Sequence, residues 1–159
     1  MPYTGEAELD RRLIEIEDAL KGKEFERAVE LAEALLRDVP GHTETRRLLA
    51  SALRGAARYD ESLQILRELA ELEPGNALIQ NSLGTALREV GDLDAASAAF
   101  GRATEIAPDL APAWYNLSLI QLMRNDVDRA FEAIECVLKI APKYEPAVIM
   151  RTSMMREQG

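Results

Sequence analysis

Residues 93–108, LDAASAAFGRATEIAP, put a small residue at Ala96, a large one four further on at Phe100 and a small one again at Ala103, and then close on Pro108. Spacing of four then three is one face of an α-helix. Three other segments repeat the arrangement when their prolines are aligned: FERAVELAEALLRDVP (25–40), YDESLQILRELAELEP (59–74) and VDRAFEAIECVLKIAP (127–142). Their fourth residues are Ala28, Ser62 and Ala130, followed after four by Ala32, Leu66 and Ile134 and after three more by Leu35, Leu69 and Val137. Pro40, Pro74, Pro108 and Pro142 therefore recur every 34 residues. A period of that length is the signature of a helical solenoid.

After each of the first three prolines a second helical face comes round in the same phase. Leu49, Ala50 and Leu53 return as Leu83, Gly84 and Leu87, then as Leu117, Ser118 and Gln121. Gly91-Asp92 and Asn125-Asp126 separate the two helices of their units, and the acids are placed to cap the helix that follows; Thr43 and Asn76 are expected to cap the preceding helices. Pro112 and Pro146 fall in first turns, where a missing N–H costs nothing.

Hydrophobic residues make up 47% of the 159 positions, which argues against intrinsic disorder, and the chain has no apolar run near the ~18 residues a membrane helix needs. The acidic amino terminus MPYTGEAELDRR lacks the features of a secretion signal, so the expected location is cytoplasmic. A net charge of -9 disfavours general binding to nucleic acid or an anionic membrane. The lone Cys136 allows no internal disulfide and reads as a partly buried structural thiol. His42 reads as a loop residue without the companions a metal site requires. No phosphate loop, HExxH or GxSxG sequence occurs, so no catalytic residue, metal or cofactor is expected.

Together these positions resemble the tetratricopeptide repeat (TPR), whose outline is W-x2-L-G-x2-Y, then A-x3-F, then P. Unit three, with Leu83-Gly84, Ala96, Phe100 and Pro108, is the best copy; unit four keeps Trp114, Leu117, Ala130 and Pro142 but has Gln121 where the aromatic belongs. Unit one keeps Phe25, Ala28 and Pro40, while its first helix departs from the outline. The resemblance implies an all-α fold, a right-handed α-α superhelix of about nine antiparallel-paired helices. It would form a single array over 1–159, with units of about 9–42, 43–76, 77–110 and 111–144. Residues 145–159 would be a cap helix or the start of a truncated fifth unit, Arg151 favouring a cap and Gly159, in phase with Gly91, favouring truncation.

The resemblance also implies that the first helices of the units line a concave groove for a peptide or protein partner. The residues on that face are Arg47, Ser51 and Arg54 in unit two; Asn81, Thr85 and Arg88 in unit three; Tyr115, Leu119 and Leu122, with Met123 beside them, in unit four; and Ile149, Ser153 and Arg156 on the last helix. Arginines beside an apolar patch suit a partner with acidic and large apolar side chains. The plainer alternative is a solvated face in which the arginines pair with acids such as Glu89 and Glu157, with Leu119 and Leu122 packed between helices. The lysine and asparagine clamp with which chaperone-cofactor members hold a terminal carboxylate is missing, since Leu13, Glu17 and Leu48 occupy corresponding places. The expected function is a scaffold or adaptor, not an enzyme. Two alternatives stand beside it: the recognition region of a larger enzyme such as a bacterial sulfotransferase or glycosyltransferase, and a self-associating module. Met150, Met154 and Met155 crowd the last helix, which could pair with a copy of itself in a homodimer.

Overall fold

The computed structural model describes residues 4–157; the ends of the expected array, 1–3 and 158–159, and with them Gly159, lie outside the described residues, as do the side chains of Thr4 and Glu157. Among the described residues the chain is all α, nine helices with no strand, as the 34-residue phase predicts. The helices fall into two compact units, Met1–Leu72 and Glu73–Gly159. The first contains α1 (Thr4–Lys21), α2 (Phe25–Asp38), α3 (Thr43–Gly55) and α4 (Tyr59–Leu72). The second contains α5 (Ala77–Glu89), α6 (Leu93–Ile106), α7 (Ala111–Met123), α8 (Val127–Ile140) and α9 (Glu145–Glu157). Within a unit each helix packs on its sequence neighbours, and the odd-numbered helices also touch, α1 with α3 and α5 with α7.

Two turns alternate along the chain, and backbone hydrogen bonds explain both. The proline turns span 39–42, 73–76, 107–110 and 141–144, each closed by an N–H of the fourth residue donating to the carbonyl of the first at 3.0–3.1 Å. Proline holds the second position of each, where its fixed φ suits the turn and no N–H is called for. In the other turns one residue takes a positive φ, at Lys23 (59°), Ala57 (61°), Gly91 (85°) and Asn125 (60°), again 34 residues apart. The N–H of the residue after each reaches back past the end of the helix to a carbonyl in its last turn: Glu24 donates to Ala19, Arg58 to Leu53, Asp92 to Leu87 and Asp126 to Gln121, at 2.8–3.0 Å. This is the Schellman ending of a helix, made four times. Only Gly91 and Asn125 announce it by residue type.

Caps follow the expectation with one correction. Asn76 accepts from Leu78 and Ile79, Asp92 from Ala95 and Asp126 from Arg129. At α3, however, the capping residue is His42 and not Thr43: its Nδ1 lies 3.3 Å from the Thr45 N–H and 2.7 Å from the Thr45 hydroxyl. Thr43 is the first helical residue, one position too late to cap.

The phased small residues are where helices approach. Ala28, Ser62, Ala96 and Ala130 are all wholly buried, and the Ser62 hydroxyl donates to the Ala50 carbonyl of the adjoining helix at 2.6 Å. In the second unit the fully buried Phe100 ring lies across Gly84, so close that a Cβ there would stand 2.7 Å from Cδ1. Gly84 thus gives up about 1 kcal/mol of helix propensity to admit the ring, and a fully buried phenyl group returns roughly 2–3 kcal/mol.

The repeated left-handed turn predicts opposite signs for reciprocal substitutions. Ala57→Gly is expected to raise stability and Gly91→Ala to lower it, each by about 1 kcal/mol, read as shifts of the urea unfolding midpoint.

Candidate functional site

α7, APAWYNLSLIQLM, carries no charged residue on any side. Ala113, Ser118 and Ile120 are sealed in the core, and Tyr115, Leu119 and Leu122 are half-buried beside Met123, which is 59% exposed. An uncharged helix that keeps apolar side chains on an open face leaves apolar surface without cover, the usual mark of an interaction site.

Two depressions flank that face in the second unit. One, of about 450 Å³, is lined by Leu119, Leu122 and Met123 of α7 with Arg88 and Glu89 from the end of α5. The other, of about 510 Å³, is lined by Tyr115 with Glu145, Pro146, Ile149, Met150 and Ser153 of α9. A polar ladder joins α5 to α7 beside the first. The Arg88 guanidinium donates to Asn116 Oδ1 at 3.3 Å, and Asn116 Nδ2 donates to Asn81 Oδ1 at 3.1 Å. Arg88 also lies 3.5 Å from the Glu89 carboxylate, the pairing that the plainer reading anticipates. Two acceptors do not exhaust the five N–H donors of a guanidinium.

Tyr115 is fixed edge-on against Tyr144, ring centres 5.4 Å apart and planes at 82°. Such pairs add about 0.5–1.5 kcal/mol beyond area burial. Burial pushes the Tyr115 phenol above its ordinary value, Tyr144 adds to the rise, and Arg88 opposes it.

Of the expected groove residues, the second unit brings together Asn81 with Arg88, and Arg88 with Leu119, Leu122 and Met123. Arg156 is exposed on α9 and lines neither depression. Arg47 and Arg54 belong to the first unit. Arg47 is bound through two nitrogens to Glu44 one turn earlier in α3, so a partner carboxylate there would have to displace an intramolecular one. Arg54 is half-buried and engaged in an interaction of its own. Sequence phase missed Asn116 because it stands 35 and not 34 residues from Asn81, and missed Tyr144 because it lies in a proline turn. Trp114 is half-buried, with its indole N–H donating to the Pro108 carbonyl at 2.9 Å.

Residues 19–85 and residues 81–145 each match a family model described as Tetratricopeptide repeat. The chain belongs to that family. TPR proteins are in general protein-interaction scaffolds. No curated protein matches the chain. Among solved structures, this TPR chain is similar to the Pseudomonas aeruginosa pilF protein, with a TM-score of 0.84 at 17% identity, covering 94% of this chain and 68% of that one. It is also similar to a thermophilic TPR protein of Thermus thermophilus, with a TM-score of 0.79 at 20% identity, covering 88% and 77%. A third similar structure is YrrB, described as a TPR protein with an unusual peptide-binding site, with a TM-score of 0.72 at 21% identity, covering 86% and 71%. At these identities the likeness is one of fold. Among the described residues no helix is long and apolar enough to cross a membrane, and no three His, Cys, Asp or Glu side chains gather as a metal-holding group.

The Tyr115 environment gives a pH prediction. A raised folded value favours the neutral phenol, so its contribution to stability is complete below the ordinary phenol range and is lost as pH rises through the raised value. Alkaline titration of phenolate absorbance is expected to lose its late step in Tyr115→Phe. In Arg88→Ala that step is expected to move to still higher pH, since Arg88 now holds it down.

Proposed function

We propose that this TPR chain is an adaptor whose open face on α5, α7 and α9 takes a peptide or protein segment bearing acidic and large apolar side chains. The observation that carries the reading is the uncharged α7, with its half-open leucines and exposed Met123 between two depressions. The apolar side chains of the partner fill those depressions, and a carboxylate meets Arg88 at the edge of the first. Met123, Met150 and the Tyr115 ring supply a surface that adapts to different side chains. Asn81 and Arg156 are the other polar residues of the expected face in the second unit, and Arg47 and Arg54 are its counterparts in the first.

A displayed library of acidic-apolar peptides, selected on the full chain and measured by calorimetry, tests this. Replacing Arg54 and Arg88 by alanine together is expected to weaken the selected peptides by about 1–2 kcal/mol, on the order of tenfold, and to flatten the salt dependence. Binding unchanged in both respects would overturn the reading.

α9 supports a second reading, self-association. Of the methionines expected to make that contact, Met155 is 59% exposed and Met150 half-buried, whereas Met154 is sealed in the fold, so a copy of the same helix would meet Met155. Sedimentation across a concentration series is expected to show a dimer that Met155→Glu disperses; a clean monomer at high concentration removes the idea.

A further inference from the structure

A separate cavity of about 320 Å³ opens between α7 and α8, formed by residues that the adaptor reading leaves unused. Trp114, Leu117 and Ala133 give it apolar walls, and the Cys136 thiol and the Gln121 side chain complete the lining. The exposed Arg129 and Glu132 stand at its mouth.

The 34-residue phase shows how the cavity arises. Trp114, Gln121 and Cys136 occupy the places held one unit earlier by Gln80, Leu87 and Arg102. In the α5/α6 pair Arg102 Nε bridges to Gln80 Oε1 at 3.2 Å, and Leu87 is buried. In the α7/α8 pair the bridge has no counterpart, because tryptophan and cysteine replace both of its ends. The apolar Leu87 is replaced by a carboxamide.

Gln121 is the decisive residue. Only 9% of it is exposed, yet among the described residues its side-chain carboxamide has no hydrogen-bond partner. Since no sealed side-chain oxygen or nitrogen among those residues lacks a partner, the carboxamide is not sealed, and the space it opens on is the cavity. The main-chain carbonyl of Gln121 is held by the N–H groups of Arg124 and Asp126, which fixes the residue in the Schellman turn and leaves the side chain alone free to serve the cavity. An amide in such a place forfeits about 1–3 kcal/mol when whatever fills the cavity cannot pair with it, a penalty that a leucine would not carry. The indole beside it is already committed through its N–H to Pro108, so the ring offers the cavity an immobilised aromatic surface and no competing donor.

We propose that this cavity is a binding site for a small, uncharged, planar ligand with a carboxamide or lactam edge. The ring of the ligand lies against Trp114, Leu117 and Ala133, and its amide edge pairs with Gln121, giving one hydrogen bond in each direction. Net neutrality suits a lining whose charges lie only at the mouth. No bond is made or broken.

The chain has one tryptophan and one cysteine, and both line the cavity, so two independent signals report on it. Benzamide is the probe, and toluene, which has the ring without the amide, is the control. Benzamide is expected to change Trp114 emission saturably and to slow native-state alkylation of Cys136 by N-ethylmaleimide, with both midpoints agreeing. Gln121→Leu is expected to weaken the probe roughly tenfold, the worth of the lost amide pairing, while helix content by circular dichroism stays unchanged. Ala133→Leu, which fills the cavity and keeps Gln121, is expected to abolish both signals. The proposal fails if benzamide produces neither signal up to its solubility limit, if toluene saturates at the same concentration, or if Gln121→Leu binds the probe as the parent does.

Discussion

Two helices of thirteen or fourteen residues cannot bury an apolar stripe unless a third lies against them, and the third can come close only where a side chain is small. That constraint governs the molecule. Ala28, Ser62, Ala96 and Ala130 are each sealed from solvent because a neighbouring helix rests on them, and Gly84 yields its place to the Phe100 ring. The turns follow from the same need. Helices of this length must reverse promptly to meet their partners, and the chain does so by alternating a proline turn with a Schellman ending.

On this regular frame the departures from the repeat carry the chemistry. α7 keeps its core-facing residues in phase but loses every charge from its other face, so an ordinary element of the scaffold becomes an apolar surface. Its neighbour α5 contributes Arg88 and Asn81 through the Asn116 ladder, which sets polar groups at the margin of that surface. On the side toward α8 the same helix places Gln121 and Trp114 where a repeat would ordinarily close up. One helix thus faces two environments, and its lack of charge suits both.

Period and residue size made the helices, the sealed positions and most caps legible in the sequence itself. The limits have identifiable causes. Lys23 and Ala57 adopt the same left-handed backbone as Gly91 and Asn125, but a lysine or an alanine gives no hint of it; packing of the flanking helices imposes the conformation. His42 caps α3 because an imidazole nitrogen can accept a hydrogen bond as a carboxylate does, and a reading tuned to threonine passed over it. The groove residues were readable as a face and not as a set of interactions. Arg47 stands three residues from Glu44 in α3, near enough to be held by it, which alters what it offers a partner. Asn116 lies one residue out of phase, so only the folded chain brings it between Arg88 and Asn81.

The bare face of α7 also bears on how the protein behaves in concentrated solution. Apolar surface attracts other copies over a few ångströms, whereas a net charge of -9 repels them over the Debye length, about 8 Å at physiological ionic strength. The acids distributed over the other helices therefore act as a colloidal barrier, holding copies apart while a ligand of the right shape can still approach. Salt screens that repulsion without weakening the short-range attraction, so raised ionic strength favours contact at the same uncharged helix that suits a partner.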